Sequence, residues 1–368
     1  MNESKIERAK LKIEEILKET GAPYCDVLCC KDDKEIFRYV YGENASGKEK
    51  LRMYSCSKPI TAVAALILVE RGLLKLEDKA EDYLPEISKC YLSGENGERI
   101  LPKHKMTIKD LLTMTAGFTY NTNTEPILAL KKNNPNANLR DFISAFVQSP
   151  LAFEPSTQFE YSLCYDVLAA VIEVASGEKF SDFVRENIFI PLQMNDSSFD
   201  NEEFDFPQTY AAEEDGKVVP CDGDNYLILA KNYESGGAGL VSTVEDYAKF
   251  AMFLARGGKT VEGKSIVCEE LLKEMATEQV VSGSIKNEFT CAQGDDYGYG
   301  FGVRVRKRDT EWGLKKGEYG WDGAACSYLL IDPAENVALV MGMNLLFWPR
   351  NFIGKHLEIV RAIYENLL

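Results

Sequence analysis

The sequence predicts an α+β fold: an antiparallel sheet built from both ends of the chain and flanked by helices, with a mostly helical domain inserted between them. Three observations carry this reading. Runs with strand character occur at Tyr24–Cys30 and Glu35–Tyr41 and again near the other end at Tyr299–Arg306, Ala325–Ile331 and Val337–Met343. The stretch between them reads mainly as helices and long loops. Amphipathic segments stand at both termini, where they can cover one face of a sheet. The sheet domain is assigned to residues 1–72 and 231–368 and the insertion to residues 73–230, with the site expected in the cleft between them. At 368 residues the chain is long enough to bury a large core.

Each element has its own justification. Met1–Thr20 sets charged residues around an apolar face of Ile6, Ala9, Ile13, Ile16 and Leu17, and lacks the apolar stretch and cleavage site of a secretory signal, so it reads as a surface helix. Ile60–Val69 is apolar almost all round and reads as a buried helix. Thr107–Thr113, Leu139–Val147 and Tyr165–Ala175 read as helices separated by turn-rich spacers such as Asn133-Asn134-Pro135-Asn136. The last two strands are joined by Asp332-Pro333-Ala334-Glu335-Asn336, a turn cluster that predicts an antiparallel hairpin. Ile353–Leu367 closes the chain as an amphipathic helix.

Composition removes several function classes. The 42 Lys and Arg stand against 58 Asp and Glu, a net charge of −16 that repels phosphate backbones and anionic bilayers, so neither nucleic acid nor membrane is expected as a partner. The longest apolar run, Ile60–Val69, falls far short of the roughly 20 residues a membrane helix needs. Ten cysteines without a CxxC pair imply neither a disulfide scaffold nor a zinc site, and with no signal peptide they are read as free thiols in a reducing cytoplasm. Only His104 and His356 are present, both read as ordinary structural residues, so a Ser-His-Asp or Cys-His mechanism has almost no support. Gly-x-Ser-x-Gly and His-Glu-x-x-His are absent, and no cofactor or metal is expected.

Lysine can activate serine instead. Ser55-Cys56-Ser57-Lys58 has the Ser-x-x-Lys spacing, which on a helix places hydroxyl and amine on one face about a turn apart. A serine at a helix start lies where orphan N–H groups favour an oxyanion, and burial of the helix would push Lys58 toward its neutral form. The spacing recurs at Ser176-Gly177-Glu178-Lys179, but there the serine sits at the wrong end of a helix, beside a terminating glycine.

With this segment the chain resembles the serine β-lactamase and penicillin-binding-protein-like hydrolases, in particular the branch of class C β-lactamases, D-amino-acid peptidases and related carboxylesterases. Met53–Thr61 is similar to the family's nucleophile segment, and Ile108–Phe118 (IKDLLTMTAGF) to its LLTHTSG stretch. Phe153-Glu154-Pro155 through Tyr161-Ser162 is similar to the F-x-P-G and Y-S-N segment, and Gly236–Tyr247 to the GGGGLVSTAxDY run. The resemblance implies a β-lactamase/transpeptidase-like fold and a double-displacement acyl transfer on a small-molecule acyl substrate. Ser55 would be the nucleophile, Lys58 would help remove its proton, and Tyr161 would be the base that activates water. The third motif falls on Trp321-Asp322-Gly323, which the resemblance places on the strand edge lining the cleft as substrate-binding residues, with an oxyanion hole from the N–H groups of Ser55 and Ala324. Gly323 would let the backbone approach substrate closely.

Two departures bear on the substrate. Leu163 stands where the resemblance expects asparagine, and Trp321 where it expects a cationic or histidine side chain; a partner for a substrate amide and one for a carboxylate are thereby lost. Ser156 replaces the glycine expected after Pro155. The resemblance therefore points first to hydrolysis of small esters or amides. β-Lactamase or D-Ala-type peptidase activity is the alternative, and a ligand-binding member without turnover is a second one, against which intact Ser55, Lys58 and Tyr161 count.

Overall fold

The computed structural model describes residues 3–200, 205–280, 294–346 and 352–368. Its main sheet contains β1 (Tyr24–Lys31), β2 (Lys34–Gly42), β3 (Tyr297–Tyr299), β4 (Arg304–Arg306), β5 (Tyr319–Asp322), β6 (Tyr328–Asp332) and β7 (Val337–Met343) in the order β2-β1-β7-β6-β5-β4-β3. Every neighbouring pair is antiparallel, and the N-terminal hairpin joins the C-terminal strands through β1 and β7, with Leu28 opposite Val340.

Side-chain alternation assigns the two faces of this sheet. Leu339 and Met341 pack with α1 (Glu3–Thr20), while Ala338 and Val340 point into the larger core. That core contains α2 (Ser57–Glu70), α3 (Ile108–Leu112), α4 (Leu139–Phe146), α5 (Cys164–Ser176) and α6 (Val244–Ala255). A last helix, α7 (Lys355–Leu367), lies beside α1 on the outer face and buries Ile359, Val360 and Ile363 against the sheet. Helix α2 is buried continuously from Ser57 to Leu68, because between Lys58 and Glu70 the sequence offers no charged residue to turn toward water. Pro59 fits its first turn, where a backbone N–H would have no helical partner.

Two predicted strands are shorter than their runs. Tyr299–Arg306 is broken into parts of β3 and β4, because Gly302 adopts φ +71° and Gly300 N–H donates to Val303 O at 2.8 Å. Ala325–Ile331 begins only at Tyr328, since Gly323–Ser327 form a turn. Residues 73–230 carry the expected helices and also two hairpins, Leu92–Ser93 with Arg99–Ile100 and Thr209–Ala212 with Val218–Cys221. Cys291, one of the ten cysteines, lies outside the described residues.

Buried charge fastens the far end of the sheet. Arg304 on β4 donates to Asp322 Oδ1 at 2.9 Å, Glu318 Oε1 at 3.3 Å and Leu329 O at 2.8 Å, and Arg306 reaches Glu318 Oε2 at 3.3 Å. These four side chains are almost wholly removed from water. Removing one partner of such a cluster strands the other charges in a medium that solvates them poorly. Arg304→Met is therefore predicted to destabilise the fold by about 3–5 kcal/mol. Urea unfolding checks this: the midpoint should fall with little change in slope, and an unchanged midpoint would show that the cluster contributes nothing.

Candidate active site

The chain enters the site through a short ladder, Leu51–Arg52 against Val241–Ser242. Met53 N–H then donates to Leu240 O at 2.9 Å, and a single 3₁₀ turn, Tyr54–Cys56, delivers Ser55 to the start of α2. Tyr54 has φ +46°, an unfavourable conformation for a bulky side chain that costs about 1–3 kcal/mol and persists only where the surroundings enforce it. They do so at several points. Ser57 Oγ donates to Tyr54 O at 2.5 Å and accepts from Leu240 N–H at 2.9 Å, while Tyr247 Oη donates to Cys56 O at 2.6 Å. The Gly236–Tyr247 run singled out in the sequence is thus the clamp on the turn that carries Ser55. Thr61 Oγ1, donating to Gly236 O at 2.7 Å, extends it one turn along α2.

Lys58 is fully buried, and its Nζ lies 3.0 Å from Ser55 Oγ and 2.8 Å from Gly237 O. Ser55 itself is only 9% exposed. Burial pushes the Lys58 ammonium down to about 7, opposed chiefly by the negative charge of Asp166. Tyr161 lies over the amine, with Nζ 4.6 Å from its ring centre, and Tyr120 is tilted against Tyr161 at 5.4 Å. Burial raises Tyr161 far above an ordinary phenol, although hydrogen bonds with Ser55 and Trp321 partly oppose the shift. Its hydroxyl therefore holds its proton at neutral pH.

The loop that brings Tyr161 into place is fixed by Asp110. Thr107 and Asp110 form a capping box on α3, and Asp110 Oδ1 also accepts from Thr115 Oγ1 at 2.8 Å and Ser156 Oγ at 2.7 Å. Ser156 has φ +67°, which explains why glycine suits that position; here the side-chain bond to Asp110 helps hold a non-glycine residue there.

The structure separates the other site residues expected from sequence. Trp321 is completely buried; its Nε1–H donates to Tyr161 Oη at 3.2 Å, and Tyr299 packs edge-on against it at 5.0 Å. Asp322 was expected to meet substrate, but as the next residue along β5 its side chain must take the opposite face, where Arg304 holds it. Leu163 is buried in the core at the start of α5. Gly323 makes a close approach within the protein itself: a Cβ there would overlap Ser327 Oγ and Met53 O. Ala324, half-buried, packs beside Tyr54 and Ala325 in the turn after β5. The second Ser-x-x-Lys pair is not assembled, since Ser176 Oγ donates back to Ile172 O at 2.7 Å while Lys179 pairs with Asp200 and Glu234. His104 is exposed.

Sequence reasoning missed Asp166, Tyr120 and Ser235. Asp166 is buried on α5 and accepts from Ser235 Oγ at 2.6 Å; burial pushes its carboxyl above the usual range, with Ser235 and Lys58 opposing the shift. No local pattern marks it, because its importance depends on α5 packing against α2.

A family model described as Beta-lactamase matches residues 10–362, nearly the whole chain. The chain belongs to the β-lactamase family. Among curated relatives of this β-lactamase-family hydrolase, Protein Rv1367c of Mycobacterium tuberculosis is 26% identical over 311 residues, covering 78% of this chain and 76% of that one. Esterase EstB of Burkholderia gladioli is 30% identical over 219 residues, 53% of this chain and 54% of that one. Among solved structures, EstCE1, described as a hydrolase with promiscuous acyltransferase activity, superposes with a TM-score of 0.81 at 23% identity and covers 98% of both chains. The octameric penicillin-binding protein homologue from Pyrococcus abyssi gives 0.71 at 21% identity over 99% of this chain and 77% of that one. These likenesses place the antiparallel sheet and helices in the β-lactamase/transpeptidase-like fold. Among the described residues, no helix is long and apolar enough to cross a membrane.

The packing at Gly323 makes a direct prediction. Gly323→Ala should destabilise the protein by about 1–3 kcal/mol, the usual cost of overpacking, because one of the two overlapped atoms is backbone and cannot rotate away. Thermal unfolding measures this, and parent-like stability would contradict the contact.

Proposed function

We propose that this β-lactamase-family chain hydrolyses small neutral acyl esters through an acyl-enzyme on Ser55. The observation that carries the reading is the buried Lys58 amine, 3.0 Å from Ser55 Oγ and shifted toward its neutral form. Neutral Lys58 accepts the Ser55 proton as Oγ attacks the ester carbonyl carbon. The ammonium so formed is received by Gly237 O and by the charge of Asp166. The oxyanion is met by the N–H groups of Ser55 and Ala324. As the carbon–oxygen bond to the leaving group breaks, Tyr161 passes its proton to the departing alkoxide and recovers one from Lys58. In the second half water attacks the acyl carbon, its proton moves through Tyr161 to Lys58, and collapse of the adduct returns a proton to Ser55. Because Tyr161 holds its proton at rest, it acts as a conductor between Lys58 and the reacting oxygen, not as a standing phenolate base.

The neighbourhood favours a neutral substrate. Leu163 offers no hydrogen bond, and the Trp321 N–H is already directed at Tyr161, so neither position supplies a partner for a lactam amide or a carboxylate. An unpaired buried polar group costs about 1–3 kcal/mol, or roughly 5- to 150-fold in rate. The Burkholderia relative is named an esterase and EstCE1 is described as a hydrolase, and both likenesses support the same class.

Kinetic and labelling measurements test this reading. For p-nitrophenyl acetate, kcat/KM should rise with pH along a limb near pH 7 and level off above it, as Lys58 loses its proton. Lys58→Ala should lower the plateau by about 10²–10⁴-fold, and a loss below about tenfold would reduce Lys58 to a structural neighbour. The protein should also turn over p-nitrophenyl butyrate far faster than nitrocefin or a D-Ala-D-Ala peptide. Equal or better kcat/KM on nitrocefin would move the activity to β-lactamase. No turnover of any of these, with Ser55 inert to a fluorophosphonate, would leave only ligand binding.

A further inference from the structure

The acyl transfer proposed above requires an N–H aimed at the developing oxyanion, and Ala324 offers one from the turn Gly323–Ser327. This turn is specified tightly from within. Gly323 N–H donates to Ser327 O at 2.8 Å, Cys326 N–H donates to Gly323 O at 2.9 Å, and Cys326 takes φ +62°, a conformation that needs external support in a non-glycine residue. On one side Ser327 Oγ donates to Met53 O at 3.0 Å, tying the turn to the nucleophile segment. On the other side stands His356, from the first turn of α7, with Nε2 2.8 Å from Cys326 O.

A carbonyl oxygen can only accept, so the proton must reside on Nε2 and the tautomer is set. The ring has little freedom to leave. It stacks on Tyr328 at 4.8 Å, meets Phe352 edge-on at 5.0 Å, and is 2% exposed. Burial also disfavours the imidazolium, so the same neutral donor persists across the working pH range.

We propose that His356 is a positioning residue for acyl transfer: its Nε2–H, bonded to Cys326 O, fixes the angle at which the Ala324 N–H faces the oxyanion. The proposal rests on the acyl-enzyme reading and deepens it by making the C-terminal helix part of the oxyanion hole's support. The same clamp accounts for a buried histidine in a helix that meets this face of the sheet mainly through apolar side chains, Tyr364 Oη donating to Asp332 Oδ2 at 3.0 Å being a second buried polar contact.

The test compares His356→Leu, which fills the space without a donor, with His356→Gln, whose amide nitrogen reaches the place of Nε2. Removing one oxyanion donor costs about 10²–10³-fold in kcat, so misaiming one should cost about tenfold or more. His356→Leu should lower kcat on p-nitrophenyl acetate by that amount with KM changed less than about threefold, the pattern of an interaction made only in the transition state. Affinity for phenyl trifluoromethyl ketone, whose tetrahedral adduct carries the oxyanion, should fall in parallel. The pH limb near 7 should stay in place, and His356→Gln should recover most of the loss. Ser327→Ala, which releases the turn from Met53, should act in the same direction.

An unchanged kcat in His356→Leu would overturn the proposal. So would equal losses in the Leu and Gln variants, which would mean packing alone, or a moved pH limb, which would place the effect on Lys58. If His356→Leu does not fold, His356→Asn, whose amide falls short of Cys326 O, takes its place with the same expectations. If the parent neither hydrolyses the ester nor binds the ketone, the acyl-enzyme reading fails separately. Hydrogen exchange of the Ala324–Ser327 amides then decides the clamp: faster exchange in His356→Leu than in His356→Gln supports it, and equal exchange rejects it.

Discussion

The site depends on one constraint: an amine placed where water cannot reach it. Lys58 occupies the first turn of a helix with no polar face, so its charged form has no solvent to lean on and must be met by protein groups or given up. The fold supplies enough partners to keep the amine in place and too few to hold it fully charged. Gly237 O and Asp166 favour the ammonium, burial disfavours it more, and the balance falls near neutrality. A lysine on an exposed helix with the same spacing would stay protonated and could not accept a proton from a serine. Lys179, partly exposed and paired with Glu234 and Asp200, shows the contrast within this chain: its partners push its pKa up.

The geometry around that amine is held by contacts from distant segments. Tyr54 carries a strained backbone, and the groups that enforce it come from α2, from Leu240 just after the glycine-rich run and from Tyr247 on α6. Gly323 brings the end of β5 against Met53, so the segment that leads to Ser55 and the proposed oxyanion turn are in direct contact. Trp321 and Asp322, adjacent on β5, divide their work between the two faces of the sheet: one supports Tyr161 and the other engages Arg304.

Much of the fold was legible in the sequence because the strands of the sheet and the helices at both ends repeat simple patterns. β1, β6 and β7 are apolar runs bounded by turns, and α1 and α7 each carry one apolar stripe. The short hairpins in residues 73–230 were not legible, since two- and four-residue strands are too brief to show a period. Ser55 and Lys58 could be singled out because their spacing precedes an unbroken apolar helix. Asp166 could not, because a lone carboxylate in a helical pattern looks solvent-facing until the neighbouring helix is placed. The assignment of Asp322 to the substrate could have been avoided by strand alternation alone, which sends consecutive residues to opposite faces. His356 gave no sign beyond its helix, because its partner is a backbone carbonyl that no sequence pattern displays.

The most direct test is the charge of Lys58 itself. In protein carrying ¹³C-labelled lysine, the Lys58 Cε resonance, assigned by its loss in Lys58→Met, should titrate near pH 7, well below the ordinary lysine value of about 10.4. A Lys58 signal that titrates near that ordinary value would contradict the account, because the amine would then be an ammonium at neutral pH with no capacity to take the serine's proton.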